Sequence, residues 1–179
     1  MEEQNLKFPF SRTSPFYALL EFDDTQENED LAIKILQKCL SKNGINEAVM
    51  SENLEQAQNF WRLRENISLS LRRYFPYKYD LSVIPSKIME FMDEVDAFLS
   101  ESKIDSQVWF GHVGDGNLHL NILKPASMLV EEFFAYCDEL NSQIGALIEK
   151  YRDLSTKLCL SSILKSYYFK SYFLRISIS

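Results

Sequence analysis

His112 and His119 are the only two imidazoles in the chain, and they flank the run Gly114-Asp115-Gly116-Asn117. All four of those residue types tolerate the positive φ values that tight turns require, so the segment predicts a hairpin with one histidine on each arm. Two arms of a hairpin bring such side chains close enough to address a common atom. Side chains alternate across a strand, which puts Leu118, Leu120 and Ile122 on one face and His119 and Asn121 on the other. Imidazole is a common ligand for zinc and related divalent metals, and a catalytic site of that kind takes three protein ligands and leaves a position open. Two histidines are one ligand short. On spacing alone a second reading stands beside this one: a good turn, with histidines that cap the strand ends through hydrogen bonds to backbone.

Cationic chemistry sits upstream. Arg64 and Ser68 are four apart in a predicted helical stretch, Leu54 to Leu71, and therefore share a face where a guanidinium fork and a hydroxyl could hold one carboxylate. Lys78 begins the next predicted strand and brings a second positive charge. Taken singly, an arginine beside glutamates on a helix is also what a solvated face with weak ion pairs looks like. Arg62, Arg72 and Arg73 fit no pattern, and the aromatic cluster Tyr74, Phe75, Tyr77 and Tyr79 reads as packing.

These residues need a scaffold, and the apolar pattern outlines one. Phe16 to Phe22 is a short aromatic and apolar run of strand length. Leu31, Ala32, Ile35, Leu36, Cys39 and Leu40 recur at helical spacing and mark one face of a helix ending near Gly44. Ala48 to Met50 reads as a short strand, Lys78 to Ile84 as another, and Pro85 is placed to begin a helix with Ile88, Phe91, Met92, Val95, Phe98 and Leu99 on one face. Val108 to Leu123 forms the hairpin. Met128 to Tyr151 is the longest periodic segment, with Val130, Phe133, Phe134, Cys137, Leu140, Ile144, Leu147 and Ile148 as its inward stripe. This order predicts an α+β fold: one mostly antiparallel sheet with helices packed on one face, in a single globular unit.

Composition narrows the partners. A formal net charge of -7 over 179 residues opposes binding to a polyphosphate backbone, so nucleic acid is not an expected partner. No run approaches the roughly 18 consecutive apolar residues of a membrane helix. Cys39, Cys137 and Cys159 form no CxxC pair, which favours reduced thiols in a cytosolic or mitochondrial matrix setting. The acidic start, Met1-Glu2-Glu3-Gln4, has neither a signal core nor a transit-peptide pattern, so any targeting segment is expected upstream of this chain.

The stretch Phe110-Gly111-His112-Val113-Gly114-Asp115-Gly116-Asn117-Leu118-His119-Leu120-Asn121-Ile122 resembles the GHxGDGNLHLN signature of the FAD-linked oxidases related to glycolate oxidase and D-lactate dehydrogenase. Arg64-Glu65-Asn66-Ile67-Ser68 and Tyr77-Lys78-Tyr79-Asp80-Leu81-Ser82 resemble the D-2-hydroxyglutarate dehydrogenase branch of that family, and match D-lactate dehydrogenases less well. The resemblance covers about residues 14 to 152. It implies a ferredoxin-like cap domain that binds substrate. By it, His112 and His119 are metal ligands, with zinc as the metal, while Arg64, Ser68, Lys78 and Asn121 bind substrate. A five-carbon 2-hydroxy dicarboxylate would need about that much cationic contact, and a monocarboxylate such as lactate would not. The implied chemistry is polarisation of the substrate hydroxyl by the metal and hydride transfer from C2 to FAD.

Two departures accompany the resemblance. The family's flavin domain precedes this region, and no Gly-rich phosphate cradle is present here, so FAD is not expected to bind this chain alone. The family also continues into a Ser-Ala-Glu-His-Gly segment, whose glutamate is the third metal ligand and whose histidine is the base. This sequence reads Asp153-Leu154-Ser155-Thr156 instead, and Asp153 is not assigned that role. Residues 153–179 are expected to be a divergent tail outside the family fold, the product of a truncated or alternatively spliced message. The resemblance also suggests a mitochondrial location. Three readings follow: the substrate and metal domain of a flavin-dependent oxidoreductase whose activity needs the flavin half; a non-catalytic dicarboxylate-binding or association module, or a D-lactate dehydrogenase-like domain; or a fragment that does not fold stably.

Overall fold

The computed structural model describes residues 6–23, 25–42 and 44–151, together with the backbone of 172–176. Mixed helix and antiparallel sheet are present as the apolar pattern predicts. The single sheet expected from the sequence is instead two three-stranded sheets, in two compact units made of residues 1–70 with 165–179 and of residues 71–164.

In the first unit, β1 (Phe16–Leu20), α1 (Gln26–Ser41), β2 (Glu47–Val49), α2 (Leu54–Glu65) and the short α3 (Ile67–Leu71) follow one another. Thr25 and Asn53 cap α1 and α2, their side-chain oxygens accepting from the Asn28 and Gln56 amides at 3.3 and 2.9 Å. Phe10 and Phe60 form a small buried cluster with Phe8, Leu19 and Val49 packed against it. Neither β1 nor β2 pairs with the other. Each pairs antiparallel with β6 (Tyr172–Ile176), which lies in the tail that showed no period. No pattern in the sequence could therefore point to this sheet. The rest of the tail, including Asp153, is outside the described residues.

The apolar stripe expected on α1 is narrower than predicted. Ala32, Leu36 and Cys39 are half-buried, whereas Leu31 and Ile35 are 54% and 50% exposed and no residue of the helix is fully buried.

The second unit holds β3 (Tyr77–Ser82), α4 (Ile88–Ser100), β4 (Gln107–His112), β5 (Asn117–Ile122) and α5 (Val130–Tyr151), with strand order β3-β5-β4. Pro85 opens a turn of 3-10 helix that leads into α4. Register fixes the faces. Leu118, Leu120 and Ile122 on β5 stand opposite Leu81, Tyr79 and Tyr77 on β3, and opposite Gly111, Trp109 and Gln107 on β4. Both helices pack on this face. From α4, Asp96 accepts from Trp109 Nε1 at 2.8 Å and from Gln107 Nε2 at 2.9 Å. On α5, Asp138 and Asn141 accept from the hydroxyls of Tyr77 and Tyr79 at 2.6 and 2.7 Å. Phe91, Val95, Phe133, Cys137 and Ile144 fill the layer between and are fully buried. Burial of one such phenylalanine contributes about 1.5–3 kcal/mol. Phe134, expected in the inward stripe of α5, is exposed at its edge against Tyr77, and Tyr151 closes the stripe instead.

Candidate functional site on the open sheet face

Since α4 and α5 take one face of the β3-β5-β4 sheet, alternation presents every other residue on the face those helices leave uncovered. Three cross-strand rows result. Lys78, Asn121 and Val108 form the first, Asp80, His119 and Phe110 the second, Ser82, Asn117 and His112 the third. His112 and His119 are thus diagonal neighbours on one face, a relation that places Cβ atoms about 7–8 Å apart and within reach of long side chains.

The hairpin that sets this geometry depends on two glycines. Gly116 has φ 72°, and a Cβ there would lie 1.9 Å from the Val83 carbonyl oxygen, while the Val83 amide donates to the Gly116 carbonyl oxygen at 3.0 Å. A Cβ on Gly111 would lie 2.2 Å from the Asn117 carbonyl oxygen. Gly114 has open space around it. Of the four turn residues expected to tolerate positive φ, Gly116 alone adopts it, and Asp115 instead tightens the turn by accepting from the Asn117 amide at 3.0 Å.

His119 is held from both sides. Its Nδ1 lies 2.5 Å from Asp80 Oδ1 on β3, and its ring centroid is 5.0 Å from that of Phe110 on β4. This is not the capping of a strand end by a backbone hydrogen bond, because the partner is a carboxylate on the neighbouring strand. Asp80 lies within a segment quoted for its resemblance but was not singled out from sequence. Alternation puts Asp80 on the face of Lys78, two residues away, but only the strand register brings it to His119.

Asn121 is 1% exposed, the one buried polar side chain among the described residues, and its Oδ1 has no hydrogen-bond partner there. A buried acceptor left without a partner costs about 1–3 kcal/mol.

Arg64 and Ser68 belong to the first unit. The helix expected over 54–71 is interrupted between them, with Asn66 (φ -79°, ψ 0°) as the C-cap of α2, so Arg64 ends one helix and Ser68 lies in the next. Burial lowers the pKa of the Arg64 guanidinium, and the Glu65 carboxylate partly offsets it.

The donor set fits a divalent metal only in part. His112 and His119 supply two imidazoles on one face, and a carboxylate on the far nitrogen of a ligating histidine is the usual support for such a ligand. Among the described residues no group of three or more His, Cys, Asp or Glu is arranged to hold a metal ion. The two tightly approached glycines among the described residues, Gly111 and Gly116, meet the chain's own backbone. No described helix is long and apolar enough to cross a membrane.

Comparison with known proteins gives one consistent result. Residues 1–152 match the family described as FAD linked oxidases, C-terminal domain. The D-2-hydroxyglutarate dehydrogenase of Stutzerimonas stutzeri (strain A1501) is 44% identical over 145 residues, which is 80% of this chain and 31% of that protein. That of Xanthomonas citri pv. viticola is 36% identical over 162 residues, 89% of this chain and 34% of the relative. The mitochondrial D-2-hydroxyglutarate dehydrogenase of Arabidopsis thaliana is 36% identical over 147 residues, covering 80% of this chain and 23% of that protein. The matched region thus spans about a third or less of each of these relatives.

Proposed function

We propose, from the premise that this chain belongs to the family of C-terminal domains of FAD-linked oxidases, that it is the substrate-binding part of a D-2-hydroxyglutarate dehydrogenase, which oxidises D-2-hydroxyglutarate to 2-oxoglutarate. The observation that carries this reading is the sheet face opposite α4 and α5, where β3, β4 and β5 gather Lys78, Asn121, His119 and His112. In this proposal residues 14–152 are the family domain and 153–179 a divergent tail.

Each residue has a task that its chemistry suits. Lys78 pairs with a substrate carboxylate. By the family resemblance Arg64 and Ser68, in the first unit, are also substrate-binding residues, with a guanidinium fork and a hydroxyl suited to a carboxylate. Asn121 Oδ1 accepts the hydrogen bond that the C2 hydroxyl donates, which gives the buried oxygen the partner it otherwise lacks. Held at a carboxylate and at the hydroxyl, the substrate is restricted in the orientation of its C2–H bond, the condition for efficient transfer. His112 and His119 are the two ligands this face contributes to a divalent metal, zinc in this reading, one protein ligand short of the usual three. Such a metal would supply Lewis acidity towards the substrate's hydroxyl and carboxylate oxygens. The redox chemistry belongs to FAD held by a separate flavin domain. A mitochondrial setting is part of the proposal on the strength of the plant and animal relatives' names; the bacterial relatives, of higher or equal identity, carry no such word.

Calorimetric titration of the zinc-supplemented chain with D-2-hydroxyglutarate and with D-lactate tests the reading. The dicarboxylate should bind more tightly, and Lys78→Ala should erase most of that preference. Equal affinity for the two acids would favour a D-lactate-type site, and no binding of either would reject the substrate assignment.

A further inference from the structure

We infer that Asp80 is a positioning residue for His119: it fixes the imidazole as the Nδ1–H tautomer and so leaves Nε2 with its lone pair available to a ligand on the open face. The inference rests on the metal-ligand reading of His119 for its purpose, but not for its geometry. Asp80 and His119 are direct cross-strand partners on β3 and β5, and the Nδ1 to Oδ1 distance is 2.5 Å. A carboxylate offers only lone pairs, so the hydrogen in that contact must come from Nδ1. A neutral imidazole carries one ring hydrogen, and once Nδ1 holds it, Nε2 is the acceptor. Phe110 limits the other freedom of the ring, its tilt, with centroids 5.0 Å apart. A ligand nitrogen is thereby prepared in advance by residues from both neighbouring strands. Support of this kind is worth about 10- to 100-fold in metal affinity.

Nitrogen-15 NMR of the imidazole rings of the intact chain at alkaline pH reads the tautomer directly. Only two histidines contribute signals, and a His112→Gln variant assigns them. The native chain should show His119 protonated at Nδ1. Asp80→Ala should move His119 towards the Nε2–H form and weaken zinc binding about 10- to 100-fold. Asp80→Asn keeps an acceptor oxygen and should retain the native tautomer and most of the affinity. The Asp80 side chain is 60% exposed on an edge strand, so both variants should keep the native melting temperature. A native His119 protonated at Nε2, an unchanged tautomer in Asp80→Ala, or measurable zinc binding of equal affinity in the native chain and Asp80→Ala would each overturn the inference. A tautomer shift in Asp80→Ala with zinc bound by neither protein would uphold Asp80's hold on the ring and reject the metal reading instead.

Discussion

Lys78 on β3 stands directly across from Asn121 on β5, so the one buried polar side chain among the described residues has a cation as its cross-strand neighbour. A buried amide oxygen without a partner, on a sheet face free of the unit's own helices, is poorly arranged for stability. It is well arranged for a ligand that carries both a hydroxyl donor and a carboxylate.

Replacing Asn121 by leucine should separate those two roles. The substitution removes an unsatisfied acceptor and keeps the branched four-atom side chain, though its methyls are bulkier, so thermal unfolding should change by about 1 kcal/mol at most. Binding of D-2-hydroxyglutarate should fall at least tenfold in the same variant. A marked loss of stability would mean that Asn121 holds the fold, and the argument from its orphaned oxygen would fail.

The three glycines of the hairpin should respond unequally to alanine. Gly116→Ala meets both a left-handed φ of 72° and the Val83 carbonyl, and Gly111→Ala meets the Asn117 backbone. Each should lose about 2 kcal/mol or more, within the range for strained or overpacked sites. Gly114→Ala has open space and should change stability by less than about 0.5 kcal/mol. Chemical denaturation of the three variants orders them, and a Gly114 variant as damaged as the other two would contradict this account of the turn.

Cys137 should be chemically silent in the folded protein. Burial raises its thiol pKa to about 12 from a reference of 9.0, with the Asp138 carboxylate adding to the effect. The thiol is therefore neutral in the fold while an unfolded chain begins to ionise near 9.0. Its contribution to stability is complete below that pH and declines as pH rises from there towards about 12, because only the unfolded state gains from losing the proton. Alkylation followed by peptide mapping should label Cys137 only after denaturation. Labelling of the native chain at mildly alkaline pH would show that this core opens.

What was legible in the sequence follows physical range. The hairpin showed because its turn chemistry and alternation are local, and alternation alone put His119 and Asn121 on a shared face. The capped helices showed for the same reason. Asp80 escaped notice because its relation to His119 is a register between strands 39 positions apart, and no local pattern records a register. The two-sheet arrangement was hidden because β6, which pairs with both β1 and β2, lies in a segment with no periodicity. On α1, periodicity marked Leu31 and Ile35 as apolar but could not say that the fold leaves them uncovered. Arg64 and Ser68 keep their spacing, yet the interruption at Asn66 is set by backbone angles that helix propensity does not foretell.

The central claim is that the face carrying Lys78, Asn121, His119 and His112 is where a 2-hydroxy dicarboxylate binds. Backbone NMR shift mapping of the zinc-supplemented chain during titration with D-2-hydroxyglutarate tests it most directly. The account predicts saturable shifts concentrated at these four residues and at Asp80, with the face of α4 and α5 turned away from the sheet unaffected, and loss of the shifts in Lys78→Ala. Shifts confined to the helices, or a native pattern retained in Lys78→Ala, would contradict it.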